Sequence, residues 1–180
     1  MSPRTVLAAT AAAALVALTA PPAHALPPTS RSIEDPVDKT AAYDIVGVSL
    51  RSAPTSKRPA VVKVTHDRRV AAGDAVDVWF DLDGDKVPDV HLSGSAFSEY
   101  VVRRAKSFTA DGKDLSELDC VRLSMAGTTS KIRVFPACLG DPVGFAVAVK
   151  SSVGGEPAAT VDWAPGTERF TKKVLAAPLS

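Results

Sequence analysis

A nine-residue acidic run has the residue types and spacing for binding a divalent cation. The run is Asp81-Leu-Asp-Gly-Asp-Lys-Val-Pro-Asp89, with carboxylates at positions one, three, five and nine. Calcium takes roughly six to eight oxygen ligands at about 2.3–2.6 Å, and carboxylates in a tight loop can supply them together with the backbone carbonyl at position seven. The run therefore predicts a calcium site made of Asp81, Asp83, Asp85, Val87 and Asp89.

The spacing of this run resembles the short calcium loops of integrin-type blades and thrombospondin-type repeats, over nine residues only. It departs from them at Gly84, which stands at position four, and at Lys86, which stands at position six where glycine is common. Leu92 replaces the bidentate glutamate of an EF-hand, so an EF-hand is excluded. The alternative is a solvated hairpin turn whose Asp and Gly residues serve turn geometry.

Histidine chemistry has two candidates downstream of residue 25, His66 and His91. Asp67 adjoins His66, but neighbours on a strand face opposite ways. The chain has no G-x-S-x-G elbow and no histidine pair at zinc-ligand spacing. No catalytic residue is predicted. A triad of distant residues stays open, so an extracellular hydrolase or its accessory domain is the alternative function.

Two residues are candidates for contact with a ligand. Trp79 alternates with apolar residues, which places it on the polar face of its strand, where an aromatic ring can stack on a sugar. His91 follows the acidic run closely. The alternative for Trp79 is burial beneath a second sheet or the C-terminal segment.

The first 25 residues have the pattern of a cleavable signal peptide. Arg4 precedes an uncharged Ala-rich run to Ala20, and Ala23-His-Ala25 has small residues at both signal-peptidase recognition positions, so the mature chain should start at Leu26. The run is too short and too Ala-rich for a spanning helix. We expect a secreted, extracellular protein with no membrane span after cleavage.

The net charge of the chain limits which class of partner it can bind, and its length limits how many domains it forms. Removing Arg4 with the signal peptide leaves 20 basic and 20 acidic side chains, a formal net charge of zero. A balanced chain carries no electrostatic footprint for nucleic acid, so the expected partner is an unknown ligand or a cell-envelope component. A flexible Pro-containing leader is expected at 26–40 and a single domain at 41–180.

Two cysteines, Cys120 and Cys138, complete the inventory of reactive side chains. In an oxidising compartment an even pair this close predicts a structural disulfide. Closing a loop of about 19 residues stabilises by roughly 3 kcal/mol in the chain-entropy model. The pair lacks the CxxC spacing typical of a redox or metal site.

The elements that must position these residues are strands, because apolar residues repeat with a period of two. In Ala75–Leu82, Val76, Val78, Phe80 and Leu82 share one face, and the acids opposite require a wet second face. Further strands are predicted at 43–50, 60–65, 88–93, 99–108, 120–126, 131–135, 145–150, 160–163 and 169–174, with a short helix at 114–119.

About eight short strands separated by turn residues predict an all-β, antiparallel β-sandwich, Ig-like or jelly-roll-like, with a closed barrel as the alternative. The chain resembles a group of short secreted actinobacterial proteins in four segments: Asp44–Val48, Trp79–Asp85, Phe135–Pro142 and Asp162–Gly166. The resemblance implies a secreted β-sandwich and transfers no catalytic residue. The predicted function is a non-catalytic module that binds a ligand or envelope component, with Ca²⁺ as its candidate cofactor.

Overall fold

The computed structural model describes residues 27–55, 57–154 and 160–177 of the chain, and the predicted signal peptide lies outside these residues. Within them the protein is all-β, with two short 3-10 helices, at Ser116–Leu118 and Pro136–Leu139. The strands are β1 (Ser30–Glu34), β2 (Ile45–Arg51), β3 (Ala60–His66), β4 (Asp74–Asp81), β5 (Val90–Ser95), β6 (Tyr100–Ala105), β7 (Asp111–Asp114), β8 (Val121–Ala126), β9 (Thr129–Val134), β10 (Gly144–Val153), β11 (Asp162–Ala164) and β12 (Val174–Leu175).

The strands form two antiparallel sheets that enclose one core, which confirms the predicted sandwich. The first sheet has the order β1-β2-β3-β9-β8. The second sheet has the order β11-β10-β4-β5-β6-β7, with β12 paired to β10. Two meanders, β1 to β3 and β4 to β7, therefore supply most of the two layers. The β8–β9 hairpin completes the first sheet, and β10, β11 and β12 complete the second.

Alternation along β4 explains how the second sheet faces the core. Val76, Val78 and Phe80 are fully buried, and each contributes about 1.5–3 kcal/mol of hydrophobic stabilisation relative to an exposed side chain. The prediction of a wet opposite face is wrong for Trp79 and Asp81, which are 2% and 3% exposed. Other aromatic rings cover Trp79, and Asp81 is folded into the acidic turn.

The strands predicted at 120–126 and 131–135 are β8 and β9, and they pair as a hairpin. Val121 pairs with Val134, and Leu123 pairs with Ile132, so the apolar side chains share one face. The disulfide joins Cys120, which precedes β8, to Cys138 in the second 3-10 helix, with a Cα–Cα distance of 5.3 Å. The bridge therefore ties the open end of the hairpin to the segment that follows it.

The expectation of a flexible leader over 26–40 is wrong for Ser30–Glu34, which is β1. This strand pairs along β2, from Ser30 opposite Arg51 to Glu34 opposite Gly47. An edge strand of five residues has too short a pattern to predict, and its position depends on pairing with a partner distant in sequence.

Local irregularities account for other differences from the predicted elements. A register shift between Ile45 and Gly47 interrupts the alternation of the strand predicted at 43–50, so that Ile45 is buried and Val46 is only partly covered. The strand predicted at 169–174 contributes only Val174 to β12. The predicted helix at 114–119 is the 3-10 turn Ser116–Leu118. None of the helices in the described ranges has the length and apolar character to cross a membrane.

Candidate metal centre and charged faces

The acidic turn connects β4 to β5 and brings three carboxylates together. Asp81 ends β4, Asp83 lies in the exposed loop, and Asp89 directly precedes β5. Each offers one oxygen, and these oxygens all lie within 4.8 Å of one another. Because a single cation can bind oxygens at that separation, this group could hold a metal ion.

Backbone amides of the turn orient two of the three carboxylates. The amide of Leu82 donates to Oδ2 of Asp89 at 2.7 Å, and the amide of Gly84 donates to Oδ1 of Asp81 at 2.5 Å. A carboxylate has two oxygens with about four acceptor sites, so these bonds leave acceptor capacity for a cation. Gly84 has φ +96°, a conformation that side-chain-bearing residues rarely adopt, which explains glycine at position four of the run.

One predicted carboxylate ligand, Asp85, lies outside the group of converging carboxylates. The group contains Asp81, Asp83 and Asp89, and Asp85 is absent from it. Oδ1 of Asp85 instead accepts a hydrogen bond from the amide of Val87 at 2.7 Å, a local turn typical of aspartate. The backbone carbonyl of Val87, at position seven of the run, stays a predicted ligand. The turn therefore converges three of the four carboxylates that the spacing had placed together.

The turn crowds negative charge around the partly buried carboxyl group of Asp89. Burial raises the pKa of Asp89, and the charges of Asp83, Asp81 and Asp85 raise it further. Lys173 brings a positive charge to the turn, because its Nζ lies 3.4 Å from the carbonyl oxygen of Leu82.

A depression of about 450 Å³ opens beside the turn. Asp81 and Gly84 line it together with residues of the C-terminal segment, including Arg169 and Lys173. The turn is therefore reachable from solvent, which a site that exchanges an ion requires.

Trp79 lies within an aromatic cluster on the outer side of the second sheet. Its ring stacks on His91 at a centroid distance of 4.5 Å and on Trp163 at 5.1 Å. Phe108 tilts against it at 5.4 Å, and Nζ of Lys150 lies 5.6 Å from the ring centroid. Trp79 is consequently 2% exposed, and a sugar cannot stack on its ring unless one of these neighbours moves.

His91 is held between two carboxylates. Its Nδ1 lies 3.0 Å from Asp111, and its Nε2 lies 3.2 Å from Asp77. Burial opposes ionisation of Asp77, but hydrogen bonds from His91, Lys150 and Ser93 outweigh it and lower the pKa of Asp77 to about 2. Both ring nitrogens of His91 face carboxylates, so neither is positioned to take a proton from a serine hydroxyl.

His66 has a serine partner, but the pair is enclosed. Its Nε2 lies 2.9 Å from Oγ of Ser130, and the two residues are 2% and 0% exposed. Tyr43 stacks on the imidazole at 3.9 Å. Burial lowers the pKa of His66 to about 4, and its Nδ1 has no hydrogen-bond partner in the described part of the chain. The pair has neither the orienting carboxylate nor the access that a hydrolase needs.

The outer side of the first sheet carries a group of basic side chains that the sequence did not single out. Lys63 alternates with the buried Val62 and Val64, and the same alternation on β9 turns its cations outward. We call this group the basic face; it consists of Arg51, Lys63, Lys131 and Arg133. The residues come from three strands, so the alternation could indicate that each points outward but not that they meet.

Comparison of the chain with protein-family models, curated proteins and solved structures finds no match in any of the three.

Proposed function

We propose that this chain is an exported, non-catalytic β-sandwich module that binds a ligand or an envelope component and holds Ca²⁺ at the acidic turn. The convergence of Asp81, Asp83 and Asp89 within 4.8 Å carries the proposal, because hard oxygen ligands without nitrogen or sulfur are the set that Ca²⁺ prefers. Extracellular calcium modules often bind in the range of about 10⁻⁴–10⁻³ M, and a three-carboxylate turn completed by water belongs at that weak end.

The environment of both histidines supports a binding role over hydrolysis. His91 has carboxylates at both ring nitrogens, and the His66–Ser130 pair is buried. The disulfide Cys120–Cys138 supports export, since such bridges persist in oxidising compartments. The signal pattern at Met1–Ala25 supports the same location.

Calorimetric titration of the purified protein with Ca²⁺ and with Mg²⁺ tests the cation site. We expect a one-site isotherm for Ca²⁺. At ten times the Kd, binding stabilises the fold by about 1.4 kcal/mol, which raises the Tm by roughly 3–6 °C for a domain of this size. Mg²⁺ should bind more weakly, because it loses its waters reluctantly and demands near-octahedral geometry.

Two variants test whether the heat of calcium binding comes from the acidic turn. Asp83→Asn removes one carboxylate of the group and should abolish the calcium-dependent rise in Tm. Glu117→Gln changes charge equally at an exposed position of the 3-10 helix and should leave the rise intact. Absence of heat and of a Tm shift at millimolar Ca²⁺, or an equal shift in both variants, would overturn the calcium site.

A further inference from the structure

The basic face places like charges directly opposite one another across neighbouring strands. Lys63 on β3 is the register partner of Lys131 on β9. In the next row, Arg133 is opposite Val61 on one side and Arg122 on the other. Side chains in such positions have Cβ atoms about 4.5–5.5 Å apart, and like charges there destabilise the sheet.

Charges on the outer side of the second sheet are arranged in the opposite way. Lys150 pairs with Asp77 at 2.9 Å, and Arg103 pairs with Asp111 at 3.4 Å. The four residues of the basic face make no ion pair with any residue in 27–55, 57–154 or 160–177. The basic face therefore retains unneutralised charge, whereas Lys150 and Arg103 on the second sheet are each paired with an acid.

The shape and composition of the basic face suit a chain of sugars. A shallow depression of about 470 Å³ crosses the face, and serine and threonine hydroxyls lie among the cations. Among the described residues no acid lines it, and its cations are Arg51, Lys63 and Lys131. Hydroxyls donate and accept hydrogen bonds, which matches the hydroxyls of a saccharide.

Strand spacing sets the reach of the charged group. Neighbouring strands lie about 4.8 Å apart, so Arg51 on β2 and Arg133 on β9 are about 10 Å apart across the sheet. That distance is comparable with the Debye length of about 8 Å at physiological ionic strength, so the cations act on one ligand together. The described residues that line the depression include no aromatic ring on which a nucleobase could stack.

We propose that the basic face binds an acidic polysaccharide, with Lys63 and Lys131 contacting its carboxylates and the surrounding hydroxyls contacting its sugar hydroxyls. The observation that carries it is the unneutralised Lys63–Lys131 pair over a hydroxyl-lined depression. The inference rests on the proposed binding role, since it names the class of partner, and it does not depend on the calcium site, which lies in the turn between strands of the second sheet.

The test measures retention and affinity of the purified protein on immobilised polygalacturonate, with neutral dextran and single-stranded DNA as comparison ligands. The variant Lys63→Glu/Lys131→Glu keeps a like-charge pair and so keeps a similar stability. We expect its affinity for polygalacturonate to fall at least about tenfold, and wild-type binding to weaken as salt rises. The matched control, Lys106→Glu/Lys113→Glu, changes net charge equally beside and on the edge strand of the second sheet and should bind like wild type.

Each remaining outcome has a defined meaning. Equal loss in the two double variants would show a net-charge effect and overturn this surface, as would tighter binding of single-stranded DNA or binding to dextran. Absence of binding by the wild-type protein would also overturn it. A calcium titration run on the same sample separates these failures from failure of the proposed function, because the calcium heat does not involve the basic face.

Discussion

Nε2 of His66 lies 2.9 Å from the hydroxyl oxygen of Ser130 at a position where both side chains are enclosed. Burial lowers the pKa of His66 from 6.5 to about 4. Between these values the unfolded chain binds a proton that the folded chain excludes, so this residue makes stability rise with pH. Its contribution is complete above about pH 6.5 and amounts to roughly 3 kcal/mol, and it is lost as the pH falls toward 4.

The variant His66→Gln keeps a hydrogen-bonding group for Ser130 and removes the titration. Urea unfolding at several pH values between 4 and 7 measures the free energy of unfolding of this variant. That free energy should rise less steeply with pH than in wild type, because the contribution of His66 is absent. A slope equal to that of wild type would show that His66 is not the group responsible.

Asp35 makes the stability of the fold fall as the pH rises, which is opposite to the effect of His66 in the same pH range. Burial raises its pKa to about 6, with further increases from the charges of Asp162 and Asp44. The folded chain then binds a proton that the unfolded chain has released, so stability is present near pH 4 and is lost as pH rises through 6. Asp35→Asn keeps the neutral form and should become more stable than wild type as the pH rises to 7.

The control for Asp35 is Glu34→Gln, which removes an equal charge from the exposed neighbouring position of β1. Urea unfolding at pH 4 and pH 7 measures both variants. His66 and Asp35 oppose each other between about pH 4 and 6, so each single variant should make the slope of the other more visible. A difference between Asp35→Asn and wild type that does not grow with pH would contradict this account.

Substitution of Lys63 should raise stability while weakening the proposed polysaccharide binding. Lys63→Glu replaces a like-charge pair with an opposite-charge pair against Lys131, a cross-strand effect of about 0.2–1 kcal/mol. Chemical denaturation at low salt measures the gain, and added salt should reduce it. Lys106→Glu, just beyond β6 on the second sheet, should show no comparable gain, and a loss of stability in Lys63→Glu would contradict the pairing.

The acidic turn predicts a stability effect that reverses with calcium. Without Ca²⁺, Asp83→Asn should stabilise the protein modestly, because it relieves the repulsion that adds to burial in raising the pKa of Asp89. With Ca²⁺ at several times its Kd, the same variant should be less stable than wild type, because it loses the binding increment. Thermal melts with chelator and with Ca²⁺ measure both; a change of the same sign in both conditions would contradict a cation at this turn.

The periodicity of the sequence predicts which face of each strand lies against the core. It does not predict which side chains of different strands become neighbours. Val76, Val78 and Phe80 face the core as their alternation requires, because burial of one face determines strand orientation. The opposition of Lys63 and Lys131 needs the pairing of β3 with β9, which are far apart in the chain. No local pattern contains that register.

The acidic turn and Trp79 also show that local spacing predicts only part of a site. Spacing alone brought Asp81, Asp83 and Asp89 near one another, because they lie on a single tight loop. The side chain of Asp85 satisfies a backbone amide instead, a choice that depends on the dihedral angles of the turn. Trp79 is covered by Trp163 and Phe108, which come from distant segments that strand alternation does not describe.

Burial of Trp79 makes it a structural residue whose removal can be measured. Trp79→Ala deletes a ring that is 2% exposed and stacked on both His91 and Trp163, so we expect a loss of about 3–5 kcal/mol in the free energy of unfolding. Trp163→Ala should lose less, because Trp163 is only partly buried.

Trp79→Phe separates packing from ligand contact. The phenyl ring retains most of the stacking and lacks the indole N–H, which is buried without a hydrogen-bond partner in the described ranges, so its loss should be well below that of alanine. Urea denaturation followed by far-ultraviolet circular dichroism measures all three variants without depending on tryptophan fluorescence. A folded Trp79→Ala protein of near wild-type stability would instead mean that the ring is free to leave the cluster and reach a ligand.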